Sequence, residues 1–302
     1  MSLVGAYAAK TDTGRKRRRN EDAFVLAPPL FAVADGMGGA QAGEIASKLA
    51  AAALEDTDPG RLTGPERVAS LIQEANRRVH ERSSVDPATS GMGTTMTVAL
   101  VEDEGVVIGH VGDSRAYLVR GREIEQLTED HSLVNELLKS GKLSPEEAET
   151  HPQRSVITRA VGTDPDVDVD SFIVDTQDGD VFLICSDGLT DMVDDEHILE
   201  TVERHRSNLD RVTKQLVTAA NRGGGEDNIT VVAFSIGQKD GTVDIGDTAT
   251  MEAVSMPDDE TTENVSVRVA PVGPSVARVR VVFAGLVVLA LLVSLLLWGL
   301  LH

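Results

Sequence analysis

Cysteine is almost missing from this chain. Cys185 stands alone among 302 residues, so no intrachain disulfide can form and no cysteine-rich zinc or iron–sulfur site can be built. Such usage fits a reducing compartment. Aromatic residues are scarce too, at 3%, so a core must come from Val, Leu, Ile and Ala. Positive charge is in short supply: 28 Lys and Arg face 49 Asp and Glu, a formal net charge of −21. A chain of that sign repels phosphate backbones, which excludes general nucleic-acid binding. No secretory leader is expected, because Met1–Ala9 is only briefly apolar and Lys10 follows it rather than preceding it. Hydrophobic residues are not lacking. At 41% they suffice for a packed core and exclude wholesale disorder.

The C-terminus has a different composition. Val281 to Leu301 is 21 residues without a charge, and its only polar side chains are Ser294 and the Trp298 indole. As a helix it would span roughly 32 Å, against a hydrocarbon core of about 30 Å. Arg268, Arg278 and Arg280 precede it and no Lys or Arg follows. The positive-inside rule then predicts a single-pass anchor at the cell membrane, in contact with lipid through residues 281–301, with the N-terminal bulk cytoplasmic. Residues 238–278 read as an acidic, flexible, self-repelling linker, as in Met256-Pro-Asp-Asp-Glu-Thr-Thr-Glu263. The expected organisation is a globular domain over 1–237, the linker over 238–278 and a transmembrane anchor over 279–302.

Within the globular part, apolar β-branched runs predict strands at Phe31–Ala34, Thr94–Val101, Val106–Val111, Ala116–Val119, Asp180–Ile184 and Ile229–Ile236. Helical periodicity marks Ala42–Leu54, Glu66–Arg82, Ser132–Ser140, Glu196–His205 and Leu209–Asn221. The middle strands are not interleaved with long helices. That predicts antiparallel meanders with helices packed outside, an α+β arrangement.

Most of the candidate chemistry is carboxylate. Asp22 follows Asn20-Glu21, Asp35 directly follows an apolar strand, Asp113 and Asp187 sit where strands end, and Asp227 precedes the last strand. One Asp-Gly pair is an ordinary turn. Four strand ends that each carry an Asp in a Gly-bearing turn are compatible either with turns or with a site for a hard divalent cation. Mg²⁺ or Mn²⁺ would suit such oxygen ligands better than Zn²⁺. The run Arg15-Lys-Arg-Arg-Arg19 is the other anomaly. It reads as a solvated loop, a nucleic-acid patch or a phosphate-binding element, since Arg presents a planar fork to phosphate oxygens.

Seven short motifs occur in order: Arg17-x-x-Asn-Glu-Asp22, Asp35-Gly-Met-Gly-Gly39, Gly91-Met-Gly-Thr-Thr95, Gly112-Asp-Ser-Arg115, Thr128-Glu-Asp-His-Ser132, Ser186-Asp-Gly188 and Glu226-Asp-Asn228. Together they resemble the type-2C metal-dependent Ser/Thr protein phosphatases, the bacterial branch best, over about residues 5–236. The resemblance implies a four-layer α-β-β-α sandwich of two antiparallel sheets flanked by helices, to which the C-terminal transmembrane helix would be added. It implies two Mn²⁺ or Mg²⁺ ions, with a third. Asp35 would bridge two metals, the Gly36 carbonyl would bind one of them, and Asp187 and Asp227 would complete the ligands of the first metal. Glu21 and Asp22 would hold waters on the metals. Asp113 with Asp187 would form the third site, and Arg17 would grip the substrate phosphate. The implied reaction is attack of an activated water on phosphoserine or phosphothreonine, without a phosphoenzyme. Phosphoprotein substrates and opposing membrane Ser/Thr kinases follow as partners, in signal transduction. The competing expectation is a catalytically weak pseudophosphatase acting as a membrane-tethered binding or sensing module.

One position departs from the pattern. Some family members carry a His general acid after the Asp-Gly pair, and here that position is Met37. Cys185 ends an apolar strand and reads as a buried inert thiol. His131 reads as structural, with Asp130 or Ser132 capping the following helix. Asp164-Pro-Asp-Val-Asp-Val-Asp170 mimics a calcium loop but lacks its Gly and Glu, and reads as an acidic strand face. Lys139–Ser155 resembles the family's flap beside the site.

Overall fold

The computed structural model describes residues 4–237, except 39, 40, 58, 59 and 150. Elements follow in chain order: β1 (Val4–Asp12), β2 (Asp22–Ala27), β3 (Leu30–Met37), α1 (Ala42–Asp56), α2 (Gly64–Val85), β4 (Gly93–Thr94), β5 (Met96–Glu102), β6 (Gly105–Val111), β7 (Arg115–Arg120), β8 (Glu123–Gln126), α3 (Leu133–Lys139), α4 (Pro145–Glu149), β9 (Asp170–Val174), β10 (Val181–Cys185), α5 (Asp187–Thr190), α6 (Asp195–His205), α7 (Leu209–Gly223) and β11 (Ile229–Ile236). No described helix is long and apolar enough to cross a membrane. The expected linker and anchor lie outside the described residues.

Among the described residues the strands form two antiparallel sheets. One runs β1-β11-β10-β7-β8, and the other runs β2-β3-β5-β6-β9 with β4 paired to β3. Three apolar layers hold them. Between the sheets lie Phe31, Val33, Ile108, Leu118, Phe182 and Phe234. The scarce aromatics are concentrated there: Phe234 stacks on Phe31 at 4.3 Å and on Phe182 at 5.1 Å between ring centroids. A second layer packs the alanines of α1 (Ala42, Ala46, Ala50, Ala53) and Val68, Ile72 and Val79 of α2 against the β3-bearing sheet. Small side chains let that helix approach the sheet closely. The third layer joins Val202 of α6 and Val212 and Leu216 of α7 to the β11-bearing sheet. Helices therefore cover both outer faces, which is the expected four-layer sandwich.

Two local expectations need correction. Asp35 does not follow a strand but lies inside β3, where it pairs in register with Asp22. The ladder continues past the apolar run because β4 adds the Gly36–Thr94 pair. The acidic run from Asp164 is not a strand face, since only Asp170 enters β9. Pro165 lacks an N–H for a ladder. The Asn76 amide instead donates to the Asp164 and Pro165 carbonyls, at 3.1 Å each, and holds that segment as a loop.

Candidate metal centre

The site forms where both sheets end together. β2 and β3 bring Asp22 and Asp35 side by side. The Gly36 turn meets the start of α1: a Cβ on Gly36 would lie 2.1 Å from the Gly43 carbonyl, and one on Gly43 would lie 2.7 Å from the Gly36 carbonyl. Only glycine at both positions lets these backbones touch. Asp35 is fixed through its main chain. Its N–H donates to the Thr95 hydroxyl at 2.9 Å, and its carbonyl accepts from the Thr94 hydroxyl at 2.7 Å. From the other sheet, Asp187 opens α5 and Asp227 lies just ahead of β11. Asp113 follows β6.

Asp22 is buried. Its Oδ2 accepts from the Thr230 hydroxyl at 2.6 Å and the Ser186 hydroxyl at 2.9 Å. Burial pushes its pKa up to about 6, these two hydrogen bonds oppose the rise, and the Asp227 charge adds to it. Burial likewise raises Asp113 to about 6, reinforced by Asp130 and moderated by Arg115. Asp35 is held well above the ordinary carboxylate range by burial, then by Asp22, Asp187, Asp113 and Asp227. Asp187 is raised in the same way by burial, Asp113, Asp227, Asp191 and Asp22. Glu21 is raised by burial, with Arg17 pulling the other way. These acids repel one another because the fold offers them little positive charge. Arg17 is the exception. Its Nη2 meets Asp227 Oδ2 at 2.6 Å, and the surrounding carboxylates raise its pKa despite the opposing cost of burial.

The acid set fits hard divalent cations. Asp22 Oδ1 and Asp187 Oδ1 are buried and have no hydrogen-bond partner. Orphaned buried carboxylate oxygens are costly, and a cation would satisfy them. Among the described residues no three of these side chains converge as a closed protein cage. Asp227 is occupied on both oxygens, by Arg17 and by the Asn228 N–H at 2.8 Å. An open arrangement of few carboxylates and a main-chain carbonyl is how proteins hold Mg²⁺ and Mn²⁺, with waters filling the shell.

The structure thus brings together Arg17, Glu21, Asp22, Asp35, Gly36, Asp113, Asp187 and Asp227. It also shows the supports around them, of which sequence reasoning gave only His131 a structural role. Asn228 accepts from the Glu21 N–H at 2.7 Å and donates to the Thr13 and Arg19 carbonyls at 2.9 Å each. His131 and Gly112 exchange two hydrogen bonds, His131 N–H to the Gly112 carbonyl at 2.7 Å and Gly112 N–H to His131 Nδ1 at 3.0 Å. That exchange anchors the turn carrying Asp113. The expected helix cap is Ser132, whose hydroxyl accepts from the Asn135 N–H. Their signal was membership of the motifs. Asp191 was missed altogether, and lies near Asp113 and Asp187 with Arg154 at 3.4 Å. Cys185 is buried, with its thiol pushed up to about 12 by burial, and is inert as expected. A cavity of about 730 Å³ adjoins the acids, lined by Asp113, Asp187 and Asp191, by Leu138 of α3, and by Ala148 and Arg154 of the 139–155 segment.

Comparison with known proteins decides the family. Residues 14–222 match the family model described as Protein phosphatase 2C. This chain belongs to the protein phosphatase 2C family. It is 42% identical over 234 residues to the "Serine/threonine phosphatase stp" of Listeria monocytogenes, covering 74% of this chain and 92% of that one. It is 40% identical over 238 residues to the "Serine/threonine protein phosphatase PstP" of Mycobacterium tuberculosis, covering 78% of this chain but 46% of that one. The crystal structure of the Mycobacterium tuberculosis phosphatase superposes with a TM-score of 0.73 at 39% identity, over 78% of this chain and all of that one. A catalytic-domain structure of PstP, with a TM-score of 0.70 and 36% identity, holds two manganese ions. The chain is a metal-dependent phosphatase of phosphoserine and phosphothreonine on proteins, with manganese or magnesium as cofactor.

Proposed function

We propose that Asp35, Asp187, Asp227 and the Gly36 carbonyl hold two Mn²⁺ or Mg²⁺ ions, that Glu21 and Asp22 orient water around them, and that Asp113 with Asp187 takes a third. The observation that carries this reading is the cluster of buried, mutually repelling acids with its two orphaned oxygens. Bound there, the ions supply Lewis-acid polarisation and a water acidic enough to attack phosphorus near neutral pH. The protein's own part is positioning and charge. Arg17 is half exposed beside Asp227, and its fork takes two oxygens of the substrate phosphate once it leaves that carboxylate. Asp22 and Asp113, raised to about 6, give up whatever proton they still hold as cations arrive. Met37 carries no proton, so the leaving seryl or threonyl oxygen is protonated by water in the cleft. The expected outcome is Mn²⁺-dependent hydrolysis of p-nitrophenyl phosphate and of phosphothreonine peptides by residues 1–237. Asp187→Asn should lower kcat at least about 100-fold, as loss of a group stabilising charge in the transition state does. Full activity in that variant, or turnover indifferent to chelation, sinks the assignment.

The same reading extends to place and partners. The uncharged run 281–301 and the arginines before it support a cell-membrane anchor with a cytoplasmic catalytic domain. Membrane-bound Ser/Thr kinases are then the natural opponents, and their phosphoprotein products the substrates. The full chain should sediment with membranes and resist carbonate extraction, and removal of 279–302 should release it. A full chain found in the soluble fraction overturns the anchor.

A further inference from the structure

Arg17 absorbs one member of the basic run, and the other four have no part in the chemistry above. Five consecutive cations in a chain of net charge −21 are a local inversion of sign. The loop that carries them is pinned rather than loose. The N–H groups of Arg15 and Lys16 both donate to the Gly225 carbonyl, at 2.7 and 3.1 Å. Arg15 Nε donates to the Asn221 carbonyl at 2.8 Å. Asn228 holds the Thr13 and Arg19 carbonyls, and the Asn20 amide donates to the Thr11 hydroxyl at 2.7 Å. All but the last of these tie the loop to α7 or to the segment that carries Asp227. Arg17 meets Asp227, and Arg19 lies 3.9 Å from Glu44. Lys16 and Arg18 are different. Both are exposed, and among the described residues neither side chain has an ion pair or a hydrogen bond.

We propose that Lys16 and Arg18 form a cationic rim of the active site that selects phosphoproteins with anionic groups next to the phosphorylated residue. The proposal rests on Arg17 as the phosphate grip. Neighbouring residues lie about 3.8 Å apart along the backbone, so two long cationic side chains on either side of Arg17 come within reach of acidic groups on either side of the phosphorylated Ser or Thr. A protein this acidic repels an acidic substrate at long range. Two free cations beside the point of entry reverse that sign where the substrate docks, which favours encounter and register. Because the loop is already fixed, little ordering is lost on binding. Nucleic acid is a poor fit, since the acidic charge surrounds the rim. A lipid surface is disfavoured too, because a membrane lying on this loop would cover Arg17 and the Asp227 it meets.

The test uses the Mn²⁺-loaded full chain and phosphothreonine peptides. One set is residues 257–263 of this chain phosphorylated on Thr261, with its natural Asp and Glu flanks, and the same peptide with Ala or Lys in place of those acids. A doubly phosphorylated Ala-flanked peptide separates neighbouring phosphate from neighbouring carboxylate as the anion read. The wild-type chain should show the lowest KM for anionic flanks. Lys16→Glu with Arg18→Glu should raise that KM about tenfold and leave kcat and the Ala-flanked KM unchanged. Lys16→Arg with Arg18→Lys should restore it, and added salt should erase the preference. Hydrolysis of p-nitrophenyl phosphate should not change. Equal KM values for all flanks in the wild type, or an equal rise for every peptide in the charge-reversed variant, overturn the rim. Unchanged peptide KM values together with loss of phosphatidylserine-dependent vesicle binding overturn it as well. Absence of p-nitrophenyl phosphate turnover in the wild type would fail the metal-centre reading instead.

Discussion

Asp22 shows how single residues are tuned in this site. Two hydroxyls on one oxygen favour its charged form, and burial disfavours it. Thr230→Val removes the shorter of those hydrogen bonds while keeping the side-chain shape. The carboxylate then loses a charge-assisted bond worth about 1.5–3 kcal/mol, and its pKa climbs above about 6. The sign follows: Asp22 must be ionised to help hold a cation, so Mn²⁺ binding should weaken at pH 6 by about tenfold and much less at pH 8. Calorimetric titration at the two pH values checks this, and a loss that is the same at both refutes the role given to Thr230. At this scale the acids themselves were legible, because each sits in a motif. Their supports were not. Thr230 looks like an ordinary strand residue, and Ser186 has no role within its motif, until the fold places them against Asp22.

Among the elements, the meeting of β3 with α1 sets the site's geometry. Gly43→Ala would put a Cβ 2.3 Å from Glu21 Oε2 and 2.7 Å from the Gly36 carbonyl. A side-chain end can swing away, but a main-chain carbonyl bound into a sheet cannot. The start of α1 must therefore retreat, carrying the Gly36 carbonyl and Asp35 out of register. Overpacking of this kind costs about 1–3 kcal/mol, or roughly 2–12 °C in Tm for a domain of this size. Mn²⁺ affinity should fall with it, and a variant with wild-type Tm and wild-type affinity contradicts the close-contact account. The central strands were readable because they are apolar on both faces, as in β6, which is buried throughout. The sequence patterns missed β1, β2, β8 and β9, and these are the four sheet edges. Edge strands are half exposed and mix polar with apolar residues, as in Glu123-Ile-Glu-Gln126. They lack the continuous apolar run that marks their neighbours.

For the whole molecule, the consequence of folding is an acid cluster held against its own repulsion, and this makes stability depend on pH and metal together. Asp22 and Asp113 titrate near 6 in the folded chain against about 4 when unfolded. Between those values the folded state binds more protons than the unfolded state, so stability falls as pH rises. Burial and the neighbouring carboxylates hold Asp35 and Asp187 well above the ordinary carboxylate range, so they act in the same direction. His110 opposes this. Its pKa is lowered to about 4 by burial, so below about 6.5 the unfolded state takes the proton and stability rises with pH. One such histidine is worth about 3 kcal/mol over its full window. His131, also lowered by burial, adds to the opposition. Asp22 and Asp113 are each worth a similar amount in the other direction, and Asp35, Asp187, Glu21 and Asp191 are raised as well, so the acids outnumber the histidines. In EDTA, Tm should therefore be lower at pH 7.5 than at pH 5.5. Mn²⁺ neutralises the same carboxylates without competing protons at the higher pH, so its stabilising shift should be larger at 7.5 than at 5.5. Asp187→Asn, which removes one raised acid and one orphaned oxygen, should raise the metal-free Tm at pH 7.5 and shrink the Mn²⁺ shift. A Mn²⁺ shift that is equal at both pH values, or a metal-free Tm that rises from 5.5 to 7.5, would mean that the carboxylates do not repel one another as a cluster.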